Sequence, residues 1–288
     1  MTDADTLRAV LLVSCPDRPG IVAEVAGLIH RLGCNITTVN QSVDGENGRF
    51  RMRMVIESGG PDLDPKSLKD GLRSLGEAHR FDSTIHFSDE RLRLAILCSH
   101  EPHCLHDLLQ RHECGELACE IPVVISNHEK LRPTAEFFGV PFEHIPVSPD
   151  TREESERSLS DCLEAHDVDV IALARYMQIL SPAIVEDWRD RIINIHHSFL
   201  PAFAGASPYR QAHDRGVKLI GATAHYVTAE LDAGPIIAQE VIECSHRDDV
   251  VDLVRKGRDA ERTSLARAVR CHIERRLLVQ EDRVVVFE

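Results

Sequence analysis

Apolar runs and helical faces alternate along the first 88 residues of the chain. Four runs that are apolar or alternate apolar with polar positions predict strands, and two stretches with apolar residues at helical spacing predict helices. The predicted strands cover 7–14, 35–42, 50–56 and 83–87, and the predicted helices cover 21–32 and 65–75. The order βαββαβ is the ferredoxin-like pattern. We therefore expect residues 1–88 to form a small α/β domain.

From residue 92 onward, short apolar runs alternate with longer helical patterns. Runs at 92–98, 121–126, 142–147, 168–173, 191–196 and 221–227 predict strands, and 283–287 predicts a closing strand. Helices are predicted over 105–111, 131–138, 153–165 and 248–274. Such alternation is typical of a doubly wound, mostly parallel sheet with helices on both faces. The charged stretch 88–91 then joins two domains, 1–88 and 92–288.

Two polar side chains stand at the end of the apolar run 191–193. Asn194 and His196 are two residues apart, so an extended strand places them on one face, and Pro201 interrupts the strand soon afterwards. Open α/β sheets bind ligands beyond such strand ends. Asp232 follows another apolar run, on a second turn. The amide and the imidazole can stabilise an oxyanion, while the carboxylate orients or deprotonates a water that attacks a carbonyl.

These residues belong to longer motifs that resemble the folate-dependent formyltransferase family over roughly residues 92–288. The matching stretches are Met177-Gln178-Ile179-Leu180-Ser181, Asn194-Ile195-His196, Ser198, Leu200-Pro201, Gly205, Tyr209-Arg210-Gln211-Ala212, Gly216, Gly221-Ala222-Thr223-Ala224-His225, Val227-Thr228 and Leu231-Asp232-Ala233-Gly234-Pro235-Ile236-Ile237. The resemblance implies that Asn194, His196 and Asp232 are the catalytic trio. Folate would then be the substrate, and no cofactor is expected.

The same resemblance implies two segments that clamp the pterin ring, largely through backbone groups. They consist of Met177, Gln178, Ile179 and Leu180, and of Val227, Thr228, Ala229, Glu230 and Leu231. Apolar walls with backbone polar groups suit a flat heterocycle that carries donors and acceptors. His197 would face away from His196 on a strand and lie at the substrate edge or behind the catalytic residues. Packing is the default expectation for His225.

A second resemblance concerns the amino-terminal domain, which looks like an ACT domain, a regulatory module that binds amino acids. It rests on Asp17, Arg18, Pro19 and Gly20 before a helix and on Asn35 and Ile36 after it. The turn would leave N–H groups free for a carboxylate at the helix start. Glycine or methionine is the expected effector. Alternatively, the turn only starts a helix, and the module pairs edge to edge to make a homodimer or homotetramer.

The formyl acceptor is indicated by departures from the formyltransferase pattern. The glycinamide ribonucleotide transformylase branch has a glycine-rich phosphate loop after its first strand, whereas 98–104 contains no glycine and carries Glu101, which would repel phosphate. The chain resembles the branch that joins an ACT module to this domain and passes the formyl group of 10-formyltetrahydrofolate to water, feeding formate to purine synthesis and balancing the folate pools. A transferase with an unrecognised amine acceptor and a non-catalytic amino-acid sensor are the alternatives.

Composition excludes several partners. The net charge of −14 disfavours a nucleic-acid surface, and no apolar run approaches the roughly 20 residues of a membrane span. The nine cysteines form no CxxC pair, so reduced thiols in the cytoplasm are expected and no metal is. A zinc site at the pairs Cys98/Cys104 or Cys114/Cys119 and a metal trio of His196, His197 and His225 are minor alternatives.

Overall fold

The computed structural model describes residues 7–58, 64–200, 208–280 and 282–288. It separates into two compact units, one formed by Met1–Arg91 with Phe287–Glu288 and the other by Leu92–Val286. Pro201, expected to interrupt the strand that carries Asn194, lies outside the described residues, as does Gly205 of the formyltransferase-like motif. Within the described ranges, no helix combines the length and the apolar character needed to cross a membrane.

The first unit has the predicted βαββαβ order. Its elements are β1 (Arg8–Pro16), α1 (Ile21–Arg31), β2 (Cys34–Val43), β3 (Arg49–Ser58), α2 (Pro65–His79) and β4 (Asp82–Phe87). The strands form an antiparallel sheet in the order β2-β3-β1-β4. Both helices pack on this sheet through buried residues such as Val25 and Leu68. The ferredoxin-like prediction is therefore confirmed.

The second unit contains nine strands and six α-helices among its described residues. They are β5 (Arg93–Cys98), α3 (His103–Glu113), β6 (Glu120–Ser126), α4 (Arg132–Phe137), β7 (Phe142–His144), α5 (Arg152–Ala165), β8 (Val170–Ala174), α6 (Pro182–Asp187), β9 (Ile192–His196), α7 (Pro208–Asp214), β10 (Leu219–Tyr226), β11 (Ile236–Glu243), α8 (Val250–Ile273), β12 (Leu277–Gln280) and β13 (Arg283–Val286).

Seven of these strands form one sheet in the order β11-β10-β9-β8-β5-β6-β7. Strands β5 to β9 are parallel, and β10 and β11 are added antiparallel at one edge. The sheet is buried on both faces, because alternate residues of β5 enter different cores: Leu94 and Ile96 face one, and Ala95 and Leu97 the other. This arrangement explains the continuous apolar runs and confirms the doubly wound, mostly parallel sheet.

Several features of the second unit differ from the sequence predictions. The predicted strand at 142–147 ends at His144, and α6, α7, β11 and β12 were not predicted. The predicted closing strand, β13, pairs with β12 in a separate two-stranded sheet instead of the main sheet. The sequence gives only a weak signal for β11, because this strand lies at the sheet edge with part of its surface exposed and therefore mixes apolar and charged positions.

Candidate active site

A cleft of about 470 Å³ opens at the carboxyl end of the parallel strands. It is lined by residues that follow β8, by the end of β9 and by the segment after β10. Asn194 and His196, the central and last residues of β9, both line it. Ligand binding outside the carboxyl ends of strands is the rule for open α/β sheets.

Asp232 reaches the cleft from a tight turn after β10. The N–H of Ala233 donates to the carbonyl of Glu230 over 3.4 Å, and Asp232 adopts a left-handed backbone with φ of 56°. Gly234 follows where the backbone passes very close to the carbonyl of Tyr226, since a Cβ there would stand 1.8 Å from that oxygen. A residue without a side chain is required at this position.

The three residues of the predicted catalytic trio meet in this cleft. Oδ2 of Asp232 is 3.2 Å from Nδ1 of His196, and its Oδ1 is 3.7 Å from Nε2 of His225. The hydrogen bond from His196 is the largest of the effects that outweigh burial and hold the pKa of Asp232 far below its usual range, so this side chain is a carboxylate. Nε2 of His196 is buried and has no hydrogen-bond partner among the described residues, which leaves it for a bound molecule.

His225 orients Asn194. Its Nδ1–H donates to the carbonyl of Tyr226 over 2.8 Å, because a carbonyl can only accept, and a ring with this single proton has its lone pair on Nε2. Nδ2 of Asn194 donates to that lone pair over 3.3 Å, which fixes the direction of the amide. Sequence reasoning expected only packing here. The available signal was strand pairing, since His225 of β10 lies directly opposite Asn194 of β9.

Both predicted pterin-clamp segments border the cleft. Met177, Gln178, Ile179, Leu180, Val227, Thr228, Ala229, Glu230 and Leu231 all line it. Met177, Ile179 and Leu231 expose 60%, 62% and 66% of their surface, so apolar area is available at the cleft. The first segment is held in place from both sides, because Met177 N–H donates to Oγ of Ser99 and Arg152 donates to the carbonyl of Ile179.

His197 also lines the cleft, and its ring centroid is 5.0 Å from that of His196. β9 ends at His196, so the alternation expected to turn His197 away does not extend to it. Burial, followed by the positive charges of Arg175 and His196, lowers the pKa of His197 to about 4. The ring is therefore neutral at physiological pH.

A polar cluster that sequence reasoning missed adjoins the cleft. Its centre is the carboxylate of Glu261 on α8, which is 2% exposed and accepts hydrogen bonds from His103 Nε2 and the Tyr209 hydroxyl, both over 2.8 Å. Nε of Arg175, a residue lining the cleft, is 3.4 Å from the same carboxylate. Tyr209 belongs to a family-like motif, but no spacing in the sequence connects these four residues.

One group among the described residues has three metal-ligand atoms within 4.8 Å of one another, namely His103, Cys104 and Glu261. Glu261 is already bonded to His103 and Tyr209 and paired with Arg175, a cation that would oppose a metal ion. The geometry therefore favours an ion-pair network at this position. All nine cysteines lie in the described ranges and are free thiols.

The turn at Asp17, Arg18, Pro19 and Gly20 leads directly into α1. Gly20 has a φ of 93°, and no side chain caps the helix. Nη1 of Arg18 donates to Oε1 of Glu24 over 2.9 Å, which ties the turn to the first turn of the helix. Asn35 and Ile36 lie at the start of β2, paired with Glu57 and Ile56 of β3.

Comparison with known proteins relates both units to described families. A formyl transferase family model matches residues 92–269, and an ACT domain model matches residues 9–70. The chain is 48% identical to a formyltetrahydrofolate deformylase of Synechocystis sp. over 98% of its length and 99% of that protein. For a relative of the same name from Bacillus subtilis, the identity is 47%, covering 99% of this chain and 95% of the relative. A formyltetrahydrofolate deformylase crystal structure from Pseudomonas syringae pv. tomato is 44% identical, with a TM-score of 0.95 and coverage of 98% and 95% of the two chains.

Proposed function

The chain belongs to the formyltetrahydrofolate deformylase family, and we propose that its cleft hydrolyses 10-formyltetrahydrofolate through Asn194, His196 and Asp232. The observation that carries this assignment of roles is the contact between the Asp232 carboxylate and His196, beside the oriented amide of Asn194. The chain is then a hydrolase that releases formate and tetrahydrofolate. The two apolar segments that border the cleft suit the pterin of the substrate.

The reaction needs one water and returns every proton. The water oxygen forms a bond with the formyl carbon and gives one proton to the Asp232–His196 pair. The attack turns the formyl oxygen into an oxyanion, which accepts hydrogen bonds from the second amide N–H of Asn194 and from Nε2–H of the protonated His196. The bound substrate carries no such negative charge, so these bonds favour the transition state over the substrate. The bond from the formyl carbon to N10 then breaks, and the pair returns its proton to N10. Formate leaves, and the remaining proton of formic acid passes to solvent.

The segment between β5 and α3 indicates that the formyl group is transferred to water and not to a phosphorylated amine. Where a phosphate loop would be needed, Glu101 presents a carboxylate, which accepts from Nη2 of Arg258 over 2.8 Å. Oγ of Ser99 is also engaged, because it donates to Oδ1 of Asn127 over 2.6 Å. A phosphate would find no glycine backbone here, and the nearby cation of Arg258 is already paired with Glu101.

Incubation with 10-formyltetrahydrofolate and no amine tests this function. We expect formate and tetrahydrofolate in equal amounts, with turnover lost in Asp232→Asn and kept in Asp214→Asn, a change of a surface carboxylate on α7. Formate release that requires an added amine would identify a transferase. Absence of turnover in the intact protein would favour the non-catalytic sensor.

The first unit supports a regulatory proposal. The uncapped start of α1 after Gly20 offers backbone N–H groups to a carboxylate. The resemblance to ACT domains adds Asp17, Arg18, Pro19, Asn35 and Ile36 to this proposed effector site. We propose that residues 1–88 bind glycine or methionine and gate residues 92–288, in a cytoplasmic homodimer or homotetramer whose formate supplies purine synthesis. Residues 1–88 would serve dimerisation alone if no amino acid binds.

Calorimetric titration of the whole protein with each amino acid tests the gating. Because coupling is reciprocal, bound folate should change the affinity for the amino acid by the factor by which the amino acid changes the affinity for folate. Sedimentation in the same buffers gives the oligomeric state. Absence of binding heat together with unchanged kinetics would leave dimerisation as the role of the unit.

A further inference from the structure

Arg175 is an incompletely paired cation at the cleft. It follows β8 directly and has a left-handed backbone with φ of 63°, a conformation that costs a residue other than glycine about 1 kcal/mol or more. Its side chain is 17% exposed and lines the cleft with His196 and His197. Its only ion pair in the described parts of the chain is with Glu261, whose carboxylate lies 3.4 Å from Nε without a hydrogen bond, and neither Nη group forms a hydrogen bond to a described residue.

Glu261 holds Arg175 from one side only. His103 and Tyr209 lock the carboxylate, and Gly257 leaves room for Tyr209, since a Cβ there would lie 2.0 Å from its hydroxyl oxygen. Burial would raise the pKa of Glu261, but the hydrogen bond from His103 and the charge of Arg175 outweigh it and the pKa is lowered. A fixed anion therefore attracts the guanidinium from its Nε side and leaves the two Nη groups for another partner.

The chemistry of the cleft supplies such a partner. The formyl group enters as a neutral amide and leaves as formate, a planar anion with two equivalent oxygens. A guanidinium edge donates two parallel hydrogen bonds to a carboxylate, and such charge-assisted pairs are stronger than neutral ones. An interaction that grows as the anion forms favours the product side of the reaction over the bound amide.

We propose that Arg175 is the formate-binding residue of the cleft, with Glu261 as the positioning residue behind it. The inference rests on the proposed hydrolysis, which places formate beside His196. One formate oxygen derives from the formyl group and the other from water, and the Nη groups of Arg175 receive this carboxylate after the bond to N10 breaks. Arg175 then determines how tightly formate inhibits and how quickly it leaves.

Direct binding of ¹³C-formate to the free protein, followed by NMR titration, tests the proposal without turnover. We expect Arg175→Gln to weaken binding at least tenfold, and Arg175→Lys, which keeps the charge but not the fork, to weaken it less. Glu261→Gln, which keeps an oxygen for the Tyr209 hydroxyl, should weaken binding less than Arg175→Gln does, because the cation stays but loses the anion that positions it. Arg189→Gln, a change in an exposed pair with Glu186, is the matched control.

The two possible failures are distinguishable. Wild-type turnover without an acceptor tests the hydrolysis itself, and its absence refutes the proposed function whatever the binding data show. If turnover occurs but Arg175→Gln binds formate as the wild type does, the formate site is refuted alone. Binding in Glu261→Gln as tight as in the wild type would refute the positioning role of Glu261. Circular dichroism and thermal unfolding of each variant establish that it is folded.

Discussion

His197 makes the stability of the catalytic unit depend on pH in a predictable way. Its pKa falls from an ordinary value of 6.5 to about 4 in the folded protein, mainly through burial. Above pH 6.5 the ring is neutral in both states. As the pH falls from 6.5 to 4, the unfolded chain takes up the proton that the folded chain resists, so stability is lost in this window and the loss levels off below pH 4. The loss amounts to about 2 kcal/mol at pH 5 and about 3 kcal/mol at pH 4.

Comparison with His197→Gln isolates this contribution, because other titrations largely cancel between the two proteins. Trp188, the single tryptophan, packs against a core of the catalytic unit and reports its unfolding in urea. We expect the unfolding free energy of the variant minus that of the wild type to rise by about 2 kcal/mol between pH 7 and pH 5. His246→Gln, which changes an exposed ring, should follow the wild type. Parallel pH curves for His197→Gln and the wild type would refute the reasoning.

Three further predictions concern the catalytic trio and the turn that supports it. Asp232→Asn should lower kcat roughly 10²-fold or more with folate affinity largely kept, since a proton-transfer role acts on the rate; near-normal turnover in steady-state assays would make Asp232 structural. Asn194→Ala should raise the barrier by about 3–4 kcal/mol through loss of an oxyanion donor, and a KM effect without a kcat effect would count against this role. Gly234→Ala should cost about 1–3 kcal/mol in urea unfolding and also lower kcat, because its Cβ would enter the space of the Tyr226 carbonyl and displace Asp232; unchanged stability and rate would contradict this.

The core strands could be predicted because burial on both faces leaves a strong sequence signal. Every residue from Val170 to Ala174 is apolar, and this stretch is the strand β8, which is fully buried. β11 gives a weaker signal, because its charged positions Glu240 and Glu243 reach solvent at the edge. The apolar pattern of 283–287 predicts a strand but does not indicate whether this strand joins the seven-stranded sheet or pairs with β12, as it does in the structure.

The residues of the site also differ in how well the sequence predicts them. Asn194, His196 and Asp232 lie in long family-like motifs, and their meeting follows from a strand end and a neighbouring turn. His225 required knowledge that β10 runs antiparallel to β9, which places it opposite Asn194. Arg175 required the left-handed backbone after β8, because an extended continuation would aim its side chain elsewhere. Neither feature is encoded in residue spacing.

The carbonyl of Tyr226 connects the two halves of the catalytic site. It accepts the Nδ1–H of His225, which sets the tautomer that orients Asn194, and it also lies against Gly234, two residues after Asp232. The N–H of Tyr226 donates to the carbonyl of Pro235 over 2.9 Å, so the same peptide segment fixes the base of the turn. A displacement of this one backbone segment would misdirect the amide and the carboxylate together. Gly234 and Pro235 therefore help to position the catalytic side chains, although they take no part in the reaction themselves.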